Sequence, residues 1–232
     1  MFRKNSIKFY FVISASLFAL CTKPPPLSGL IDSASNNLLQ QRNSPLQIRS
    51  YGDITIKLNG DVYSGSADME WKKNGDFHAE FYSPFGNLIG SVKADSEGGS
   101  VMIRNRTLRF NNNNTLDTLP FSWGKQLTFG QFIVFLTGRV PVDFVDLNRV
   151  PDSSLIKGKN VEFHYKSGVF DTKVNVNRKS MVMEKIIIDS KNQTGFALKM
   201  GAFINNMARR IELREDDKNY ISIYYEKIKL KQ

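Results

Sequence analysis

Apolar and polar residues alternate with a period of two along most of this 232-residue chain. Ile54, Ile56 and Leu58 are typical, because a polar residue separates each from the next. About ten such segments follow one another, and turn sequences such as Asn59–Gly60 and Asn74–Gly75 separate them. Successive side chains of a strand point to opposite faces, and Asn–Gly favours tight hairpins. The pattern therefore predicts an antiparallel sheet with one apolar face.

Two segments replace this alternation with a helical period. Residues 30–39 carry a modest apolar stripe that ends before Pro45. Thr128 and Gln131 have the spacing of a capping box, and a second apolar stripe follows them. This stripe consists of Phe129, Phe132, Ile133 and Leu136. We expect Gly138 to end this helix and Pro141 to begin another short one, which carries Phe144, Val145 and Leu147.

The last predicted strand, Tyr220 to Leu230, changes parity between Tyr225 and Ile228. A slip of one residue predicts a β-bulge, which bends a sheet. Hydrophobic residues make up 41% of the chain and aromatic residues 12%, enough for a substantial core. We therefore expect an α+β fold that is mainly β, a curved antiparallel sheet forming a half-open barrel with helices covering its concave face.

The first twenty residues have the plan of a secretory signal peptide. Arg3, Lys4 and Lys8 precede an apolar run that ends at Leu20 and is too short to favour a membrane-spanning helix. Cys21, the only cysteine, follows at once. It stands where a bacterial lipoprotein carries its lipid, such as palmitate, although Leu20 replaces the small residue usual before it. We interpret Cys21 as the lipidation site rather than as a stray thiol.

The chain then divides into three parts, a signal peptide at 1–20, a lipidated cysteine with a proline-rich tether at 21–29, and a folded domain at 30–232. The consecutive prolines after Lys23 cannot be helical and suit a semi-rigid spacer. Residue 22 is Thr rather than Asp, so the usual signal for retention at the inner membrane is absent. We expect a lipid anchor in the outer membrane and a domain facing the periplasm.

The composition also excludes several kinds of function. The net charge is +10, but the basic residues are scattered, so nucleic-acid binding is not indicated. One cysteine and two histidines leave little for a disulfide framework or a zinc site. His78 and His164 lie on the polar parity of their strands, and no nucleophile motif accompanies them. We therefore expect no enzymatic activity, no cofactor and no metal.

The order of features resembles the LolA/LolB superfamily of lipoprotein carriers and outer-membrane lipoprotein receptors. The resemblance rests on the Ser83–Pro84–Phe85–Gly86 turn, on the Leu-Thr-Gly and Pro of residues 136–142, and on the strands at 51–58, 181–188 and 196–200. Its coverage of the chain is broad, although each motif is short. Cys21 favours the LolB side, because the soluble carrier is not lipidated.

This resemblance implies a chaperone-like acceptor, monomeric, that receives acylated lipoproteins from a periplasmic lipoprotein carrier, binds their acyl chains and inserts them into outer-membrane lipid. It also implies that the loop of Pro84, Phe85 and Gly86 enters the membrane. The expected acyl-binding cavity is lined by Ile54, Ile56, Met69, Trp71, Phe81, Phe129, Phe132, Ile133 and Leu136.

Three alternatives remain open at this point. The same fold could enclose a filled core and serve as an interaction or scaffolding module, since aromatic residues on one sheet face usually form a packed core. A lipid-acting hydrolase is a more distant possibility. Phe85 could also fold back onto the sheet instead of projecting from its turn.

Overall fold

The computed structural model describes residues 26–43, 46–103, 106–140, 144, 150–168, 170–190 and 196–231. It contains two α-helices, α1 (Leu27–Asn43) and α2 (Phe129–Leu136), and a short 3₁₀ helix (Ser122–Lys125). The strands are β1 Gln47–Leu58, β2 Asp61–Lys72, β3 Phe77–Tyr82, β4 Leu88–Ala94, β5 Gly98–Ile103, β6 Arg106–Asn111, β7 Ser153–Lys157, β8 Asn160–Ser167, β9 Phe170–Asn177, β10 Met183–Ser190, β11 Ala197–Ile204, β12 Met207–Arg214 and β13 Tyr220–Lys231. No described helix has both the length and the apolar character needed to cross a membrane.

All thirteen strands form one antiparallel sheet, in the order β6-β5-β4-β3-β2-β1-β13-β12-β11-β10-β9-β8-β7. Strands that are consecutive in sequence pair with each other, except β6 and β7, and β1 also pairs with β13. The chain is therefore two meanders joined at the centre of the sheet by its first and last strands. β6 and β7 are unpaired edges, so the sheet does not close into a barrel. The predicted half-open architecture is confirmed.

The turns between strands lie at two opposite ends of the sheet. One end, called the loop end, carries the β1–β2 turn at Asn59–Gly60 and the β3–β4 turn at Ser83–Asn87. The other, called the helix end, carries the β2–β3 turn and the β9–β10 turn around Met181. α1 crosses the helix end, because Ser33 Oγ donates to Met181 O at 2.7 Å and α1 ends three residues before Leu46, beside β13.

The hairpin turn and the β-bulge predicted from the sequence are both present. Asn59 and Gly60 have φ of 54° and 95°, as a tight hairpin turn requires. The bulge lies in β13, where Tyr51 pairs with Lys227 but Gly52 pairs with Tyr225, which leaves Glu226 as the extra residue. A Cβ at Gly52 would lie 2.0 Å from Tyr224 O, so the sheet bends where a glycine permits close approach.

The structure departs from the expected elements in three places. β7 has five exposed residues and no apolar alternation, so the prediction of about ten strands omitted it. α1 begins at Leu27, so its first turn lies within the predicted tether 21–29. Most of the short helix expected after Pro141 lies outside the described residues, although Phe144 is described and fully buried.

Candidate functional site

The concave face of the sheet is covered by α2 and by the segment that precedes it. The predicted capping box begins α2, since Thr128 Oγ1 accepts from Gln131 N at 3.2 Å and Gln131 Oε1 accepts from Thr128 N at 3.0 Å. Gly138 follows the helix with φ of 75°, a conformation that favours glycine. Ala208 N donates to Gly138 O at 3.0 Å, which fastens the end of α2 to β12.

Tyr225 supplies a buried polar contact between α2 and the sheet. Its hydroxyl donates to Leu136 O, at the last turn of α2, and also lies 3.4 Å from Met69 Sδ. Burial raises the pKa of Tyr225, so the hydroxyl keeps its proton and remains a donor. The side chain is fully buried, and breaking this contact would leave Leu136 O without its partner in an apolar interior.

A second contact joins the chain after α2 to the opposite side of the interior. Arg139 is 8% exposed, its guanidinium lies 3.8 Å from the Trp71 ring centroid, and its Nε donates to Thr137 Oγ1 at 2.8 Å. Burial lowers the pKa of Arg139 to about 10, which leaves it charged at neutral pH. A desolvated cation stacked on an aromatic ring is stabilised by the charge distribution of that ring.

Aromatic rings run through the layer between α2 and the sheet. Phe129 stacks on Phe110 with centroids 5.5 Å apart, and Phe132 stacks on Trp123 at 5.6 Å. Phe135 stacks on Phe144 at 5.5 Å. Trp123, fully buried, belongs to the 3₁₀ helix before α2, which the sequence pattern had not indicated. This layer is apolar except for a few isolated groups.

Two of these isolated groups have no hydrogen-bond partner among the described residues. They are Ser122 Oγ and Trp123 Nε1, neighbours on the 3₁₀ helix. A buried donor without a partner costs about 1–3 kcal/mol relative to a satisfied one. The interior beneath α2 therefore holds unused hydrogen-bonding capacity within an apolar setting.

A small space lies between α2 and the sheet. Its volume is about 10 Å³, roughly the space for one water molecule. It is lined by Phe132, Phe135, Leu136, Leu198, Ile211, Leu213, Ile221 and Ile223. A pocket that holds an organic ligand usually measures about 300–1,000 Å³. Among the described residues, the space beneath α2 is therefore too small for such a ligand, and every residue that lines it is apolar.

The residues predicted to line an acyl cavity all lie on the concave side. Ile54, Met69, Phe81, Phe129, Phe132, Ile133 and Leu136 belong to the buried core, whereas Ile56 and Trp71 are partly buried against it. Phe132 and Leu136 also line the remaining space. The other lining residues come from Phe135 and from β11, β12 and β13. Their alternation was visible in the sequence, but the pairing of β1 with β13, which brings them beside α2, was not.

Phe85 projects from the loop end. Gly86 N donates to Ser83 O at 2.9 Å and Ser83 N donates to Asn87 O at 2.8 Å, which forms a tight turn with Gly86 at φ of 78°. The Phe85 side chain is 91% exposed, so it does not fold back onto the sheet. Leu88 is also exposed at this end. An exposed aromatic ring on a tight turn is available for contact with another apolar phase.

The convex face carries ion pairs between histidine and glutamate side chains. His78 Nε2 lies 3.5 Å from Glu80 Oε1, and His164 Nε2 lies 2.8 Å from Glu162 Oε1. Both histidines lie on the polar faces of their strands, as predicted. In the described ranges no group of three or more His, Cys, Asp and Glu side chains could hold a metal ion. Cys21 and residues 141–143 lie outside the described residues.

Comparison with known proteins identifies the fold. No protein-family model and no curated protein sequence matches the chain. Among solved structures, the chain is similar to a domain described as an outer membrane lipoprotein-sorting protein domain from Vibrio parahaemolyticus. The two share a TM-score of 0.53 and 8% identity, over 86% of this chain and 91% of that chain.

Two further solved structures are similar. A DUF1329 family protein from Desulfovibrio piger gives a TM-score of 0.51 and 11% identity, over 88% of this chain and 93% of its own. A LolA superfamily protein from Nitrosomonas europaea gives a TM-score of 0.49 and 11% identity, over 88% and 93%. At these identities the likeness concerns the fold alone. The predicted fold class is confirmed, and the fold is similar to that of the lipoprotein-sorting domain.

Proposed function

We propose that the protein is a lipid-anchored lipoprotein acceptor of the outer membrane, which holds acyl chains on the concave face beneath α2 and inserts them into the outer membrane. The observation that carries this proposal is the entirely apolar lining of the space between α2 and β11–β13, on a fold shared with a lipoprotein-sorting domain. Acyl chains are the part of a lipoprotein that such a lining fits.

Binding requires α2 to move, because the enclosed space is about 10 Å³. The phenyl and aliphatic side chains of α2 then leave the concave face and an acyl chain replaces them. Burial contributes about 0.8 kcal/mol per methylene, so a sixteen-carbon chain gains roughly 10 kcal/mol. This gain offsets the exposure of the apolar residues of α2 and needs no nucleotide. The unpartnered Ser122 Oγ and Trp123 Nε1 are available to the ester carbonyls of a lipoprotein's acyl groups.

Phe85 has a separate role in this proposal. Its ring enters the membrane interface when cargo is released, because aromatic rings are favoured there and the side chain is 91% exposed. Cargo arrives from a periplasmic lipoprotein carrier, and the protein acts as a monomer. The anchor is Cys21, and replacing Cys21 with Ala is expected to release the protein from membranes into the periplasmic fraction. Membrane attachment that persists would contradict this part of the proposal.

One observation favours a second candidate. The interior is filled, which is also what an interaction module with a solid core would show. In that case α2 stays in place and no acyl chain binds. The two candidates differ in a measurable property, the affinity of the concave face for an acyl probe.

Two substitutions of one residue separate them. Phe132→Asp places a charge against the lining and should abolish binding of a fluorescent palmitoyl probe. Phe132→Ala enlarges the space and should strengthen probe binding, although it costs about 3–5 kcal/mol of stability. Leu155→Asp, on exposed β7, is the control for an added charge. Opposite effects of the two Phe132 variants support the acceptor, whereas the same probe affinity in both variants and the parent supports the solid core.

Release is tested separately at Phe85. Phe85→Glu should leave the melting temperature and probe binding unchanged, since the side chain is exposed, but should block transfer of acylated cargo into vesicles. Phe85→Leu keeps an apolar tip and should retain transfer. Normal transfer by folded Phe85→Glu protein would show that this loop does not act in release.

A further inference from the structure

The helix end carries an open groove with three lysines around it. The groove measures about 290 Å³ and lies between the ends of β1, β2 and β13. It is lined by Leu46, Gln47, Lys72, Lys73, Asn74 and Lys231. No acidic side chain is among these lining residues. We call it the lysine groove.

The backbone fixes the position of these lysines. Gln47 pairs with Lys231 on one side and with Lys72 on the other, so the three residues lie side by side across adjacent strands. Leu46 N donates to Lys231 O at 2.7 Å, and Lys73 N donates to Leu46 O at 2.9 Å. The cations are therefore held close together by sheet hydrogen bonds rather than by attraction to an acidic neighbour.

Two carboxylates lie near the lysine groove, Glu70 and Asp76, and Asp76 Oδ2 accepts from Asn74 Nδ2 at 2.9 Å. Glu70 lies 3.0 Å from Arg49 Nη2 and accepts from Gln47 Nε2 at 2.6 Å, whereas Lys72 Nζ is 3.8 Å away. Lys73 and Lys231 form no ion pair within the part of the chain that the structure describes. Lys227 and Lys229 are also exposed on β13 beside the groove. Unneutralised cations in one place attract a polyanionic surface.

An exposed leucine lies in the wall of the lysine groove, since Leu46 is 49% exposed. Lysines beside an exposed apolar side chain are typical of surfaces that lie in the membrane interface, where the cations meet phosphates and the apolar group reaches the acyl boundary. A soluble acidic partner would not require the leucine.

We propose that the lysine groove docks the phosphate-bearing headgroups of anionic phospholipids in a bilayer, with Leu46 entering the interface beside them. The inference does not depend on acyl binding by the concave face.

Docking by the lysine groove has a consequence for orientation. β3 has six residues and separates the helix end from the Phe85 turn by about 20 Å. A molecule docked by its helix end therefore holds Phe85 away from that bilayer. The lysine groove and Phe85 contact a membrane in two alternate orientations.

The test measures sedimentation with vesicles, using the full chain with Cys21→Ala so that no lipid anchor contributes. The Cys21→Ala protein should bind vesicles that contain phosphatidylglycerol more tightly than vesicles of phosphatidylethanolamine alone, and added salt should weaken this binding. Adding Lys72→Glu, Lys73→Glu and Lys231→Glu should reduce the affinity at least tenfold, since each lysine near an anionic surface contributes. Circular dichroism checks that the variants are folded.

The matched control changes three exposed lysines away from the groove, with Lys125→Glu, Lys185→Glu and Lys218→Glu. This control has the same net charge and should bind nearly as well as the Cys21→Ala protein. Equal losses in both triple variants would overturn the proposal, because net charge alone would then explain binding, and so would an unchanged affinity in the groove variant. Palmitoyl-probe binding, measured in parallel, reports on the acceptor function independently.

Discussion

At the scale of single residues, the Tyr225 hydroxyl controls how firmly α2 is held. Tyr225→Phe removes the donor to Leu136 O and should lower the free energy of unfolding by about 1–3 kcal/mol. Since the contact lies between α2 and the sheet, the variant should also take up an acyl probe faster. Thermal unfolding and stopped-flow fluorescence measure the two effects.

The control for this change is Tyr165→Phe. Tyr165 is 3% exposed on β8, and burial raises its pKa to about 12, but no hydrogen bond joins it to α2 among the described residues. The Tyr165→Phe variant should therefore take up the acyl probe at the same rate as the parent protein. If Tyr225→Phe also left that rate unchanged while it lowered stability, Tyr225 would be a core residue only.

Glu162 gives a prediction about pH. Burial opposes its ionisation, but the contacts with Lys157 at 2.7 Å and His164 at 2.8 Å outweigh burial and lower the pKa of Glu162 below its ordinary 4.5. A carboxyl whose pKa is lower in the folded state stabilises the protein at any pH above its pKa in the unfolded state. This stabilisation is lost as the pH falls through the pKa of the folded state. Glu162→Gln should therefore destabilise at pH 7, and the difference from the parent should shrink in acid below pH 4.5.

Urea unfolding at neutral and acidic pH measures this difference. Glu97→Gln changes an exposed carboxylate in the β4–β5 turn and serves as the control, with a small effect at either pH. A stability difference for Glu162→Gln that stayed constant with pH would show that its ionisation is not linked to folding.

The sequence alone did not determine whether two aromatic side chains, Phe85 and Phe135, are exposed or buried. The exposure of Phe85 was open from the sequence, because a turn residue can either project or fold back, and the hydrogen bonds of Ser83 and Gly86 decided it. Phe135 was missed because α2 is apolar on more than one side, so its stripe at 129, 132, 133 and 136 did not include every buried position. A helix buried on several faces carries less periodicity than one with a solvated face.

At the scale of elements, Gly138, which follows α2, tests how α2 is held against the sheet, and Gly86 in the Phe85 turn is the comparison. Gly138 and Gly86 have φ of 75° and 78°, so Ala at either position should cost about 1–2 kcal/mol. A Cβ at Gly138 would also lie 2.7 Å from Ala208 O, whereas nothing lies within 4 Å at Gly86. Gly138→Ala should therefore cost about 1–3 kcal/mol more than Gly86→Ala.

Melting temperatures of the two variants measure this extra cost. Gly86→Ala isolates the effect of φ, and the difference between the variants reports the close approach of α2's last turn to β12. Equal losses of stability would contradict the tight junction between Gly138 and Ala208.

Elements with strong local signals were predictable. The capping box of α2, the Asn–Gly hairpin and the bulge in β13 each depend on residues close together in sequence, and each formed where expected. β7 was not predictable, because an edge strand without a buried residue carries no alternation. Its pairing with β8 comes from backbone hydrogen bonds, which leave no pattern in the side chains.

At the scale of the whole molecule, the site depends on which strands become neighbours. Pairing of β1 with β13 places Ile54 beside Ile223 and brings the last strands of the chain under α2. Alternation assigns each residue to a face but does not give the order of strands, so the sequence predicted an apolar concave face but not the contribution of β11, β12 and β13 to the lining beneath α2. Packing then determined that the interior is filled, which depends on volumes that periodicity does not contain.

In the proposed function, acyl chains enter the space that α2 vacates, the loop end presents Phe85 to the membrane, and the helix end carries the lysine groove. The acceptor function requires an acyl chain to occupy the space between α2 and β11–β13, so the position of a bound chain is the decisive observation.

The measurement is photo-crosslinking with a palmitoyl probe that carries a diazirine near its terminal carbon, followed by peptide mapping of the labelled protein. We expect labels on the lining residues Leu198, Ile211 and Ile223, and the loss of these labels in the Phe132→Asp variant. Labels confined to exposed apolar residues such as Leu155, or no saturable labelling at all, would contradict it.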